Sequence, residues 1–224
     1  MLDLTLRARF ILGSRLTENQ FSGGRRTEEM FKQLLFKLAK APCMGKLVGT
    51  AFRYFSWVIP VRKVYNSKAV LAFYHPKPCY ENHMIISLKR AVANLQQMAP
   101  EDFVKTWAAV TDICASHPEY RNSFVLVANG GKRQEVSQVH FHMFTNHDVV
   151  NGAWEIHTEI PAVSSGQITK EYFKDILQSI DLLNKEFSIV KKGYSLVYQN
   201  EKKTGDTDIP IFHIVAGKKG ERIK

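Results

Sequence analysis

Gln138, His140 and His142 alternate along the run Val136-Ser137-Gln138-Val139-His140-Phe141-His142-Met143-Phe144, and residues of these types at this spacing can do chemistry. Side chains of an extended strand alternate between faces, so the pattern predicts three polar heads on one side and Val139, Phe141 and Met143 on the other. Near neutral pH much of a histidine population is neutral, and a neutral imidazole serves as nucleophile, proton shuttle or metal ligand. The pair alone leaves three readings open: a hydrogen-bonded polar strand face, a metal site of the cupin kind, or a nucleophilic centre. A cupin-like site needs a carboxylate and a further histidine, and no Glu follows His142 within a few residues, although His147 and Asp148 do. Flanking helices also argue against a purely β-barrel setting, so neither a metal nor any other cofactor is expected.

The elements that must position this strand are read from periodicity. From Thr27, a cap candidate followed by acids and by Met30, Phe31, Leu34, Leu35 and Leu38 predicts an amphipathic helix. Residues 63–65, 70–74 and 83–88 form short β-prone runs separated by Asn66-Ser67 and a proline-bearing segment. Pro100 opens a helix through about Ala115, with Phe103, Trp107, Val110 and Cys114 on one face. A buried strand over 124–128, a turn over 129–132 and a strand over 136–144 follow. Helix, strand, loop and strand then recur over 169–187, 194–198, 199–208 and 209–215, which hints at an internal duplication with a decayed second copy. Phe103, Trp107, Tyr172 and Phe173 are expected in the core.

With this context, Gln134-x-Val136-x-Gln138-Val139-His140-Phe141-His142-Met143-Phe144 resembles the histidine triad (HIT) signature, in which Gln and Val lead into three histidines alternating with apolar residues. Ile59-Pro60-Val61-Arg62-Lys63-Val64-Tyr65 through Val70-Leu71-Ala72-Phe73 looks like that family's opening hairpin. His83-Met84-Ile85-Ile86-Ser87-Leu88-Lys89-Arg90 is similar to its histidine-bearing strand, and Asn94-Leu95 with Ala99-Pro100-Glu101-Asp102 to the start of its long helix. Order and spacing agree over roughly residues 52–147. The resemblance implies an α+β fold, an antiparallel sheet packed by helices. It implies a nucleotide hydrolase or nucleotidyltransferase in which His140 attacks the α-phosphorus and forms a transient nucleotidyl-histidine. His142 would then reach the same phosphate, and Asn129 with the loop of Lys132 to Gln134 would line it.

The departures from the signature are specific. Gln138 replaces the first triad histidine and cannot titrate. Glu135 stands where a small hydroxyl residue usually faces the phosphate, and His75 stands in place of the usual ribose-contacting Asp or Asn. The competing reading is therefore a non-catalytic nucleotide-binding or regulatory protein of the same fold. His83 reads as a structural histidine at the mouth of a strand. His213 looks like the third position of a second motif that lacks its partners, an arrangement similar to galactose-1-phosphate uridylyltransferase and the dinucleoside-tetraphosphate phosphorylases. The expected organisation is an N-terminal extension over 1–50, a HIT-like domain over 51–148 and a degenerate half-copy over 149–224, as a monomer with a pseudo-dimeric core or a homodimer.

Bulk properties narrow the setting. The chain has 224 residues, 45% of them hydrophobic, enough to bury a core, and no apolar run approaches the roughly 20 residues that cross a bilayer. Cys43, Cys79 and Cys114 lie far apart and form no CxxC pair, so a reducing, cytoplasmic setting is expected, with no disulfide framework. The N-terminal stretch lacks the apolar core of a secretory signal; its arginines suit an organelle transit peptide, and its alternation suits a first strand at least as well. A net charge of +10 favours anionic ligands: nucleotides first, with nucleic-acid ends as the third reading.

Overall fold

A tight antiparallel hairpin opens the described chain. Strand β1 (Lys63–Asn66) turns into β2 (Val70–Tyr74) at Ser67, whose hydroxyl oxygen accepts from the amides of Ala69 (3.3 Å) and Val70 (3.0 Å). The computed structural model describes residues 61–162, 168–200 and 210–217, all within the compact unit Leu38–Lys224. The first strand and the helix from Thr27 expected from the sequence lie outside the described residues, as do Ile59 and Pro60.

Strand β3 (Glu81–Leu88) pairs with β2, and α1 (Pro100–Ser116) follows, with Pro100 in its first turn and Glu101 and Asp102 at its positive end. Then come β4 (Phe124–Gly130) and β5 (His140–Thr145). The second part runs β6 (Ile156–Pro161), α2 (Lys170–Phe187), the short α3 (Ile189–Lys192), β7 (Tyr194–Asn200) and β8 (Ile211–Ala216). Thr169 caps α2, its side chain accepting from the Tyr172 amide at 3.1 Å. The eight strands of the described residues form one antiparallel sheet in the order β1-β2-β3-β5-β4-β7-β8-β6.

Register alternation sorts this sheet into two faces. Met84, Ile86, Leu126, Phe141, Met143, Phe212 and Ile214 join the helices in the main core. Their neighbours along the strands, including Val125, Val127, Phe144, Val197 and Val215, form a smaller cluster on the opposite face. At the centre of the core, Phe103 of α1 stacks on Phe173 of α2, centroids 4.2 Å apart and planes 14° apart. Phe103, Tyr172 and Phe173 are buried as expected, and Trp107 is half-buried edge-on to Tyr198.

The registers describe a local two-fold about the β4–β7 pair. Val127 lies opposite Val197; across the next ladder Val127 meets His142, and Val197 meets His213. Further out, His142 faces Ile85 of β3, and His213 faces Glu159 of β6. Phe103 and Phe173 precede Val127 and Val197 by the same number of residues and meet across this axis.

Two sequence expectations are corrected. The strand expected over 136–144 begins only at His140, because the chain before it bonds to the segment after β3. Strand β6 was not anticipated: only Ile156 and Ile160 of its six residues are buried, the weak pattern of an edge strand ending in proline.

Candidate active site

His140 and His142 stand on β5, on the face away from Phe141 and Met143, with ring centroids 4.9 Å apart and planes 70° apart. The His140 Nδ1 lies 2.8 Å from the carbonyl oxygen of Gln138. A carbonyl only accepts, so Nδ1 of the neutral ring carries the proton and Nε2 keeps its lone pair. This is the tautomer that attack through Nε2 requires.

The His142 tautomer follows from a backbone amide two residues-worth of contacts away. His83 Nδ1 accepts from the N–H of Cys79 at 3.3 Å, so the His83 proton sits on Nε2. That Nε2 lies 3.0 Å from His142 Nδ1, which must accept, leaving a proton on His142 Nε2. His142 is therefore held as an Nε2–H donor. A bulge in the β3–β5 ladder between Glu81 and Met84 places His83 beside His142, and Asn82, at φ 51, supplies the left-handed residue there. His75 stacks parallel on His83 with centroids 4.3 Å apart, and its Nδ1 accepts from the Lys77 amide at 3.0 Å.

Burial holds these rings neutral. Desolvation, with His75 and His140 nearby, pulls His83 down from the ordinary 6.5 to about 3. Desolvation pushes His142 well down, with His140, His83 and His75 adding to it. Desolvation also lowers His140, opposed by the Gln138 carbonyl and by the charge of Glu135, and lowers His75. Between pH 6.5 and about 3 the folded chain thus binds fewer protons at His83 than the unfolded chain, so stability falls as the pH drops through that window and is fully present above it. We expect a loss of roughly 2 kcal/mol from one such ring by pH 5. Urea unfolding of wild type and His83→Gln between pH 7.5 and 5 checks this; equal slopes in both would refute it.

The remaining residues singled out by the sequence occupy distinct places. Gln138 does not share the open face of His140 and His142, contrary to the strand alternation expected for it. It is buried, and its amide donates to Leu88 O (3.1 Å) and Arg90 O (2.9 Å) while accepting from Val92 N (3.1 Å). With the Val139 amide on Val92 O at 2.7 Å, it clamps the lead-in to β5 and so holds the carbonyl that orients His140. Gln134 serves the same lead-in, donating to Ala93 O and to Val136 O. Asn129, on β4, accepts from the Ser195 hydroxyl at 2.8 Å.

Lys132 and Glu135 are exposed, Lys132 in the short 3₁₀ turn Gly131–Arg133. Gly131 is required there: at φ 57 a Cβ would stand 2.0 Å from the Val190 carbonyl oxygen. Sequence reasoning undervalued His83, since its bond to His142 depends on strand pairing that no local pattern reveals. It also missed His157, whose Nε2 lies 3.0 Å from His213 Nδ1.

Residues 56–149 match the family model described as HIT domain. Among solved structures, one described as "Hit Like Protein" is 20% identical over 46% of this chain and 99% of that chain, with a TM-score of 0.41. A histidine triad protein from Clostridium difficile is 22% identical over 45% and 92% of the two chains, with a TM-score of 0.40. Yeast Ap4A phosphorylase Apa2 in complex with AMP is 11% identical over 68% of this chain and 57% of that chain, with a TM-score of 0.45. No curated protein matches the chain. Among the described residues no helix is long and apolar enough to cross a membrane.

Proposed function

We propose that this chain is a nucleotide hydrolase or nucleotidyltransferase that works through a covalent nucleotidyl-histidine at His140. The observation that carries the reading is the 2.8 Å approach of His140 Nδ1 to the Gln138 carbonyl, which leaves Nε2 as the nucleophile. The Nε2 lone pair attacks the α-phosphorus, the new P–N bond forms, and the bond pair of the broken P–O or P–N bond departs with the leaving group. The His142 Nε2–H donates to a non-bridging phosphate oxygen, where negative charge must be stabilised. Water or a phosphate then attacks the same phosphorus and the P–N bond returns its electrons to His140. His75, in place of a ribose-binding acid, favours a substrate held mainly through its phosphate, whereas the charge of Glu135, in place of a hydroxyl residue, opposes an anionic substrate.

Residues 51–148 act in this reading as the HIT-like domain. Residues 149–224 are a degenerate half-copy that takes the position of a dimer partner across β4 and β7, making the chain a monomer with a pseudo-dimeric core, and 1–50 form an extension. The second reading, a non-catalytic nucleotide-binding protein, is favoured by one observation: the Gln138 amide is fully engaged with backbone and offers no proton to a leaving group.

Incubation with α-³²P-labelled nucleoside polyphosphates and with adenosine phosphoramidate, followed by alkaline denaturing gels, tests the two. Acid-labile label on the protein and released mononucleotide support the enzyme. Calorimetric binding of mononucleotide with neither signal supports the binding protein, and absence of all three sinks both.

A further inference from the structure

The two-fold of the sheet sets a second histidine pair in the place that His83 and His142 occupy in the first half, and the two pairs use the same atoms. His83 Nε2 lies 3.0 Å from His142 Nδ1, and His157 Nε2 lies 3.0 Å from His213 Nδ1. What surrounds the pairs differs in three ways. The position of the nucleophile, His140, two residues before His142, is occupied by Ile211 two residues before His213. Ile85, opposite His142, is replaced by Glu159, opposite His213. The third histidine of the first cluster, His75, is supplied from the β2–β3 connection, whereas the second cluster is built from β6 and β8 alone. Among the described residues, the second half thus has no histidine at the position of the nucleophile, and it has gained an anion.

We propose that His157, Glu159 and His213 form a binding site for one divalent transition-metal ion, zinc being the ion that suits two imidazoles and a carboxylate. Their ligand atoms lie within 4.8 Å of one another, with 3.0 Å between the two ring nitrogens and 3.9 Å from His213 Nδ1 to Glu159 Oε1. Donors around tetrahedral zinc, at about 2.0–2.1 Å from the metal, stand roughly 3.3–3.5 Å apart. The two spacings bracket that value, so coordination needs adjustments of side chains alone. His157 and Glu159 sit two residues apart on β6, and Glu159 pairs in register with His213 on β8, so the backbone ladder already presents all three on one face.

The His75, His83 and His142 cluster is the less suitable of the two. Its His75 and His83 Nδ1 atoms are engaged by the Lys77 and Cys79 amides, and it has no carboxylate to offset a dication among buried rings. In the second cluster His157 and Glu159 are exposed, which gives an ion a path in and leaves room for a water as fourth ligand. The bound ion tethers the edge strand β6 to β8. This proposal stands independently of phosphate chemistry at His140.

The test uses the full chain, stripped with chelator and titrated with Zn²⁺ by calorimetry and with Co²⁺ by visible absorption. His157→Gln and Glu159→Gln change exposed side chains, and circular dichroism verifies that both variants fold. We expect wild type to bind one equivalent at this site, intense visible bands from tetrahedral Co²⁺, and a zinc-dependent rise in melting temperature. Each variant should weaken that equivalent at least tenfold and lose the thermal shift, while His83→Gln retains both. Absence of binding, a loss smaller than tenfold in either variant, or loss in His83→Gln instead, which places the ion in the first cluster, overturns the proposal.

Discussion

On the proposed mechanism, His140→Ala is expected to lose the covalent intermediate and to lower turnover by on the order of 10⁴-fold or more, while the chain remains folded. The size follows from the role: no neighbouring group can substitute for the Nε2 lone pair, because His142 Nε2 carries a proton fixed in place by His83 and the Cys79 amide. His142→Ala removes a donor and leaves the nucleophile, so it costs less, about 10²–10³-fold in kcat. The order of these two effects discriminates mechanism from general damage to the site. Single-turnover rates with trapped label measure both, and turnover by His140→Ala at the wild-type rate would remove His140 from the chemistry.

Phe173→Ala destabilises the protein by about 3–5 kcal/mol. Phe173 and Phe103 are both buried and stack at 4.2 Å where α1 and α2 meet, so truncation leaves a cavity shared by the two halves of the sheet. Phe103→Ala should cost a similar amount, and the double variant less than the sum, by roughly 0.5–1.5 kcal/mol of coupling. Denaturant unfolding at pH 7.5 reads these quantities. A loss below about 1 kcal/mol from either single variant would mean that the halves are stabilised separately and that this contact does not join them. The same argument predicts that the segment 149–224 cannot be removed without cost to the site, since β7 pairs along the whole of β4 and Ser195 reaches Asn129.

The gains and misses of sequence reading have local causes. The helix opened by Pro100 and the helix capped by Thr169 were legible because apolar spacing and capping act within a few residues. The hairpin β1–β2 was legible for the same reason. Strand β6 was not, because an edge strand buries one face only in part and its hydrophobic signal is weak. Gln138 was assigned to the wrong surroundings because period-two alternation holds only inside a strand, and three bonds to residues 88–92 keep it out of one.

By itself the sequence singled out the class of chemistry to consider. His140 and His142, two residues apart among apolar neighbours, together with the segments upstream of them, defined which imidazoles to consider and the fold that would hold them. Only the tertiary structure decided their protonation. Which ring nitrogen keeps a lone pair depends on the Gln138 carbonyl for His140, and on His83 and the Cys79 amide for His142. The His83 link comes from a neighbouring strand across a bulge. Tertiary structure alone also brought His157 to His213, because antiparallel register between β6 and β8 joins residues far apart in the chain. Residue types and spacing are encoded locally, whereas hydrogen-bond partners and desolvation are properties of the packed sheet.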